Sequence, residues 1–583
     1  MNDAKARSGW DRAVWPVFWS LAAVCLAIFL MVALGQRGSL TTDPDSTLRL
    51  VQVRDLLAGQ GWFDTTQHRV IPPEGLDLHW SRLFDGALGV LLLLFSQLMS
   101  REDAEIALLI AWPFLLLLAL LAISASAARE RFGPGAAIAA MFAALLIPVF
   151  VLTHFRYGNI DHHGLQIVLM AGMVWAALSR SRKAGFWGGI AGAVALAVGL
   201  EGVAVLGGLG VVLSLRAVFG PVEDRKLIRD FGLTLVLCAF LLFLLQTPLD
   251  QWLVTHCDEL AVPILAVCGA AAFYGCLLPP LLDRLSSRRA QILGGGALTA
   301  FVGFALIPIS QQCGDGPYAM VPQDIRDRVI AGVLENLPSY RMLLHSPTTA
   351  IQYVLPVIAA ILLLLRLRIR EDQRDARAVL LGSITLGFVG SLIQLRLILW
   401  ALAALPIAAG VVTAAYLSDP KRPSRRPIST VLIVALLSPS IFAFTLGIFL
   451  PQEKKPVTLA ADANCDRASI TSLTEFPAGT VYNPLNLGPV ILEATKHSIT
   501  GASYHRSPDA LVNGTIGFSE NPEDFAIRLE ATGADYVVMC RGNPYGGEGS
   551  VGAALSQGEV PEGLSLRLVS QPEASLLIYE VEG

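Results

Sequence analysis

Thirteen apolar runs, most of them near the length that crosses a bilayer, leave this chain few ways to fold. They cover 15–35, 104–127, 135–153, 164–179, 185–200, 202–215, 231–247, 261–281, 290–309, 351–367, 378–395, 397–417 and 428–450. Crossing the hydrocarbon core takes roughly 20 residues of helix. No water is available at that depth, so the backbone must satisfy its own hydrogen bonds, and helices are expected. Of the 583 residues, 54% are hydrophobic and only 15% charged, where a soluble domain carries about 25%. The run 87–99 has about 13 apolar residues, which is short for a span. It reads as an interfacial or re-entrant helix within the first external loop. The polar start before the first run is followed by no small-residue cleavage site, so that run reads as a retained span.

Basic residues fix the expected orientation. With 87–99 left out of the count, one set of loops contains Lys5, Arg7 and Arg12, then Arg129 and Arg131, then Arg180, Arg182 and Lys183. The same set continues with Arg216, Arg225, Lys226 and Arg229, with Arg284, Arg288 and Arg289, with Arg366 to Arg377, and with Lys421 to Arg426. Cytoplasmic loops collect Lys and Arg, so the N-terminus is expected in the cytoplasm. Loops 36–103 and 310–350 and the tail after 451 are then external. The net charge of −4 says little about partners, and the lack of a basic tract argues against a nucleic-acid partner.

Composition changes after the last run. Residues 452–583 alternate strand-like segments (480–482, 536–539, 575–580) with a helix-like one (522–531), separated by Gly and Pro turns. The expected architecture is a transmembrane domain over 1–451 and a soluble, periplasmic α/β domain over 452–583. Cys25, Cys238, Cys268 and Cys276 fall in spans and read as packing residues. Cys257, Cys313, Cys465 and Cys540 are all external, where an oxidising compartment permits disulfides. Cys257–Cys313 with Cys465–Cys540 is the economical pairing, although sequence leaves the connectivity open.

The expected external face also collects polar residues, which are costly near a membrane. Asp43-Pro44-Asp45…Arg49 opens a helix expected over 46–59; the carboxylates read either as an N-cap with dipole compensation or as site residues. Asp161-His162-His163 offers a hard oxygen and an imidazole nitrogen two residues apart, able to reach one ion if the segment is extended. Glu335 lies in loop 310–350, and Arg396 stands where basic residues are otherwise few. An Arg there either snorkels or makes forked bonds to phosphate. Glu201 sits at a break between two short apolar helices, as a substrate contact or a cap. In the tail, His497 and Tyr504-His505-Arg506 read as an acceptor contact or a polar strand edge.

Taken in order, these segments resemble the catalytic subunit of oligosaccharyltransferase and its bacterial and archaeal relatives, the C-type glycosyltransferases, over roughly residues 10–450. Asp43-Pro44…Arg49 is similar to the family's first-loop motif, and Asp161-His162-His163 to its archaeal Asp-His-His. Val333-Leu334-Glu335 keeps the Glu of a Thr-Ile-x-Glu-like motif without its Thr. Pro72-Pro73-Glu74-Gly75…His79-Trp80 resembles a first-loop Pro-Gly…His-Trp stretch. The resemblance implies a polyprenyl-phosphate-linked sugar donor and a divalent cation, Mg²⁺ or Mn²⁺, held by Asp43, Asp161, His163 and Glu335. It implies Asp43, Asp45 and Glu335 as catalytic carboxylates, and Arg396, His79 and Trp80 as substrate contacts; Glu201, His505 and Arg506 are expected as further substrate contacts from their own positions. The chain departs from the family in lacking a Trp-Trp-Asp-Tyr-Gly element: its last Trp is Trp400. The expected acceptor is therefore an envelope glycan or lipid, and the expected location the bacterial inner membrane among its lipids. The alternatives are an oligosaccharyltransferase acting on protein, a transporter or flippase of lipid-linked glycan, and a non-catalytic scaffold. Transporters place charges at mid-membrane in repeated halves; no such repeat is apparent here.

The orientation is directly testable. In a background whose unpaired native cysteines are replaced, a membrane-impermeant thiol reagent should label a cysteine introduced at Gly546 and leave one at Ser424 untouched. Labelling in the reverse pattern would invert the topology.

Overall fold

The computed structural model describes residues 2–35, 41, 43–314, 316–318, 321–368, 370–418, 427–447, 465–543, 545–547 and 549–582. Within them every apolar run lies in helix. Six helices are long and apolar enough to cross a membrane: Asp11–Gly35, Arg101–Phe132, Val222–Gln246, Val262–Arg284, Arg288–Ile309 and Pro347–Arg366. Two further candidates are bent pairs. Leu395–Leu402 meets Leu405–Leu417 at 54°, and Pro427–Leu437 meets Pro439–Leu446 at 91°. Each second helix carries a proline in its first turn. Proline has no N–H to continue the preceding ladder, so the run bends where the sequence alone reads straight. The remaining runs form the shorter helices Pro134–Leu146, His163–Leu178, Ala184–Val198 and Val203–Phe219, and Arg374–Ser391, which begins with charged residues. Helix Arg82–Ser96 carries the 87–99 run. It buries Phe84, Leu88 and Leu92 on one side and leaves Val90, Leu93 and Leu94 exposed on the other. That two-sided apolar character fits a helix lying in an interface.

The loops sort into two ends. At one end Arg131 donates to Asp375 at 2.6 Å and to the Leu178 carbonyl, Arg216 donates to the Ser179 carbonyl, Arg180 to the Asp372 carbonyl, and Arg129 pairs with Asp11. The other end holds the first loop, residues 155–162, the break at 199–202, loop 310–350 and the tail. The basic segment 421–426 and the 451/452 boundary lie outside the described residues.

Strands β1 (Thr66–Gln67) and β2 (Leu76–Asp77) form a small antiparallel ribbon in the first loop. In the tail, β3 (Thr480–Tyr482), β4 (Ser498–Ile499), β5 (Tyr536–Cys540), β6 (Leu566–Leu568) and β7 (Leu576–Val581) make one sheet in the order β4-β3-β5-β7-β6. The first three are parallel and the last two pair antiparallel. The helix-like segment is helix Pro522–Thr532. Strand β5 is buried along its whole length, as a central strand covered on both faces must be. Both expected disulfides are formed, Cys257–Cys313 and Cys465–Cys540.

The first loop closes this sheet domain. The free edge of β4 is paired by residues 69–71: Ile71 donates to the Ile499 carbonyl and Ile499 donates to the Arg69 carbonyl, both at 2.8 Å. An edge strand is thereby covered. Leu48, Val51, Val70, Leu76, Leu78 and Trp80 of the loop belong to the same buried cluster as Val481, Ile499, Val537 and Ile578 of the tail. Each fully buried aliphatic side chain contributes about 1.5–3 kcal/mol, so the contact is substantial.

Helix Pro44–Leu57 carries the loop's charge core. Arg49 is 1% exposed, donates to Asp85 at 2.8 Å, and stacks over Trp80 and Phe84. Arg82, equally buried, lies 3.4 Å from the same carboxylate. Removing Asp85 leaves two buried guanidiniums without their counter-ion, and such a loss costs about 3–5 kcal/mol. Asp85→Ala should therefore lower the unfolding temperature in detergent sharply, with Asp85→Asn milder. A loss of less than about 1 kcal/mol, typical of a surface pair, would contradict this.

Candidate active site

Five segments bring the expected residues to one end of the helices. Asp43 ends extended backbone and caps helix Pro44–Leu57, accepting from the Ser46 N–H at 2.7 Å and the Ser46 hydroxyl at 3.0 Å. The capping reading is thus realised for Asp43. The same Ser46 hydroxyl accepts the Ile160 N–H at 3.1 Å, which ties the first loop to the Asp-His-His segment. Arg156 stands 3.9 Å from the Asp43 carboxylate.

Asp161 is buried, and its two oxygens face different partners. Oδ1 meets the His162 N–H and the His162 ring, each at 2.7 Å, while Oδ2 meets the ring of His163. The segment is not extended: His163 already begins helix His163–Leu178, and the helical turn brings both imidazoles over the one carboxylate, stacked 4.4 Å apart. These two imidazoles hold the Asp161 carboxyl well below the usual carboxylate range, against the effect of its burial. On its far nitrogen, His162 meets Glu201 at 2.9 Å. The Glu201 carbonyl accepts from the Trp400 indole at 2.7 Å. Glu201 therefore serves as partner to His162, a role visible only once the 199–202 break is packed against residues 161–163.

Asp45 follows one residue after the cap. Burial first, and then the charges of Asp161, Asp43 and Glu335, push its carboxyl up to about 7. Glu335 approaches from loop 310–350 and pairs with Arg396, whose other arm donates to the Tyr318 hydroxyl at 3.1 Å. Arg396 and then the charge of His163 hold the Glu335 carboxyl below its ordinary value, although its side chain is still about half exposed. Asp161, His162 and His163 offer ligand atoms within 4.8 Å of one another; Asp43, Asp45 and Glu335 surround that group. A cavity of about 160 Å³ adjoins it, lined at its polar end by His163, Glu335 and Arg396 and elsewhere by Met342, Tyr353, Leu395, Ile398 and Leu399.

The other expected contacts lie elsewhere or are engaged. Trp80 is buried between Arg49 and Tyr504. His497 is 1% exposed and bonds to backbone carbonyls at 473 and 479. It does not line a groove. Between the tail and loop 310–350, Val321, Ile325 and Val329 pack against Leu485, Leu511 and Ile516. Arg506 grips Asp258 through two nitrogens, at 2.8 and 2.9 Å, and also pairs with Asp77 and Glu259. It therefore works as a latch between tail and loops. His505 bonds to Asp258 at 3.0 Å, with the His79 ring tilted at 45° beside it and Tyr318 edge-on. Burial, His505 and Arg506 push His79 well below the usual imidazole range, so it is neutral. Asp258, Tyr318 and Arg156 carry no sequence signal of their own. They are placed by contacts between segments far apart in the chain.

No family profile matches the sequence, and no curated protein matches it. The fold does have solved counterparts. The oligosaccharyltransferase of Archaeoglobus fulgidus, tethered to an acceptor peptide containing an NVT sequon, matches with a TM-score of 0.61 at 15% identity, over 89% of this chain and 69% of that one. The same enzyme in complex with an inhibitory peptide and a dolichol-phosphate matches with a TM-score of 0.57 over the same shares, also at 15% identity. Its complex with Zn and sulfate gives 0.56 at 16% identity, over 88% and 68%. The chain thus shares the fold of an archaeal oligosaccharyltransferase, a C-type glycosyltransferase fold built on membrane-spanning helices.

Proposed function

We propose that this chain is a membrane glycosyltransferase, a hexosyl- or pentosyltransferase that moves a sugar from a polyprenyl-(pyro)phosphate donor to an envelope glycan or lipid on the periplasmic face. In this reading thirteen spans over 1–451 carry the external catalytic loops 36–103, 154–164 and 310–350. The tail 452–583 is the periplasmic domain, and the N-terminus is cytoplasmic in a bacterial inner membrane. The observation that carries the reading is the meeting of Asp161, His163, Asp45, Glu335 and Arg396 at the mouth of a cavity with an apolar wall. A lipid-linked donor needs that combination: a place for isoprenoid carbon beside a place for phosphate.

The donor set fits a hard divalent cation. Three carboxylates with one imidazole favour Mg²⁺ or Mn²⁺, and Asp161, His163, Glu335 and either Asp43 or Asp45 would hold it. When bound, such an ion neutralises charge developing on the leaving phosphate. The chain's own residues do the rest. Arg396, rigid and forked, orients phosphate oxygens, releasing Glu335 as it does so. His162, fixed between Asp161 and Glu201, keeps the Asp161 carboxylate aimed. Whichever of Asp43 and Asp45 is not a ligand takes the proton from the acceptor hydroxyl. A hydroxyl needs only such a base, whereas family members that use an asparagine amide, a poor nucleophile, carry a sequon pocket built around a Trp-Trp-Asp-Tyr-Gly element that this sequence does not contain.

Three outcomes check the reading. Asp161→Ala and His163→Ala should each abolish turnover and weaken Mn²⁺ binding at least tenfold in titration calorimetry, while the protein elutes as folded. Full activity of both in chelator would remove the metal from the account. In liposomes with a labelled polyprenyl-linked sugar, label should pass to an envelope lipid extract and not to a sequon peptide. Arg396→Lys should raise the donor KM about tenfold, consistent with loss of about 1.4 kcal/mol of forked bonding. Label on the peptide alone would make the chain an oligosaccharyltransferase with a different acceptor pocket.

A further inference from the structure

His79, Asp258 and His505 come from three unrelated segments: the first loop, the loop 247–261 and the tail. Their ligand atoms nevertheless lie within 4.8 Å of one another. The Asp258 carboxylate is buried at 4% side-chain exposure. The two imidazoles face each other, ring centroids 4.6 Å apart. His505 is held by Asp258, and His79, which is half-buried, shows no side-chain hydrogen bond among the described residues. An imidazole with no side-chain partner, beside a second imidazole and a buried carboxylate, makes a donor set open to an ion.

The local charge count points to what is missing. Asp77, Asp258 and Glu259 all bear on Arg506, at 2.8, 2.8 and 3.1 Å. Three carboxylates against one guanidinium leave two negative charges in excess. Asp77 is more than half exposed, so water screens part of this; Asp258 is not exposed. Among nearby groups His256 stands 3.7 Å from Glu259 and could offset one charge only if protonated. A dication matches the excess.

We infer that His79, Asp258 and His505 form a second metal site, separate from the Asp161 group, that takes one borderline divalent ion, best Zn²⁺. Two imidazoles and one carboxylate are a usual zinc set, with a fourth position left for water or a phosphate oxygen. Around tetrahedral zinc, ligand atoms sit about 3.3 Å apart, given bonds of about 2.0–2.2 Å, so binding closes separations of at most 4.8 Å by up to about 1.5 Å. Arg506 remains on the outer side of Asp258, which fixes the carboxylate as outer partners do in metal sites. The bound ion ties tail, first loop and the 247–261 loop at one point, beside Tyr318 and therefore beside Arg396. This places a second dication next to the phosphate-binding end of the site proposed above.

The test uses tag-free, full-length protein in detergent, stripped with chelator and dialysed, then given Zn²⁺ and desalted, with bound Zn²⁺ counted by elemental mass spectrometry. The background is Asp161→Ala with His163→Ala, which removes the first group, so that the outcome is independent of the proposed catalytic metal. That background should still bind one Zn²⁺ per chain, and adding either His79→Gln or His505→Ala should take the count to none. Co²⁺ in the same background should show the strong visible absorption of a tetrahedral site and lose it in His79→Gln. His79→Gln breaks no hydrogen bond and leaves the Arg506 latch in place, so a lost ion there is not a lost fold. Should the background not purify folded, the same subtraction from wild type, two ions falling to one, decides the question equally well. Zn²⁺ content unchanged by either substitution, or none in the background, would overturn the second site.

Discussion

The structure depends on the enclosure of helix Pro44–Leu57 between the membrane helices and the tail. Its buried residues run without a break from Ser46 to Val53, so it has no solvent face over two turns. Arg54 at its far end forks onto Glu105 of a spanning helix and reaches Glu493 of the tail, which Arg467 also holds. Two guanidiniums therefore share one buried carboxylate, and neither the tail nor the spanning helix can move without breaking charged hydrogen bonds. Such bonds are worth more than neutral ones when buried. At the near end the same helix delivers Asp43 and Asp45. A rigid helix, fixed at both ends, thus sets where the first two carboxylates stand relative to Asp161.

That arrangement explains how a chain with few charges concentrates so many in one place. The carboxylates of Asp43, Asp45, Asp161 and Glu335 raise one another's proton affinity. They are tolerated because His162, His163, Arg156 and Arg396 stand among them. A cluster of this kind stores electrostatic cost that a phosphate-bearing substrate and a cation can relieve together, and it is built at one end of the helices, not at their middle. A transporter reading calls for charges at mid-membrane and a repeated half, and neither arrangement describes these residues.

Much of this can be read from the chain itself. The apolar runs become helices because the period and length of hydrophobic residues leave no other solution in lipid. Strand β3, the start of β5 and helix Pro522–Thr532 fall where β-branched residues, turns and a Pro at the first helical position put them. The four cysteines expected on the external side are the ones that form disulfides, in the economical pairing that the sequence leaves open. The site is legible where residues adjacent in sequence act together, as in Asp161-His162-His163. It is not where partners meet only through packing. The part played by His162 is hidden because it depends on Glu201, 39 residues away. Arg506 reads as a substrate contact because nothing near it in sequence reveals Asp258, 248 residues earlier. The bends in the last two spans depend on backbone groups that hydropathy does not register.

The central claim is that one end of this fold grips a lipid-linked phosphate through Arg396 beside a metal held by Asp161 and His163. The most direct measurement is a cryo-electron microscopy structure of the full chain in lipid nanodiscs with Mn²⁺ and a short polyprenyl phosphate. The account predicts metal density between Asp161 and His163, phosphate density at Arg396, and the isoprenoid along Leu395, Ile398 and Leu399. Phosphate bound instead at the opposite end, among Arg131, Arg180 and Arg216, with no metal at Asp161, would contradict it.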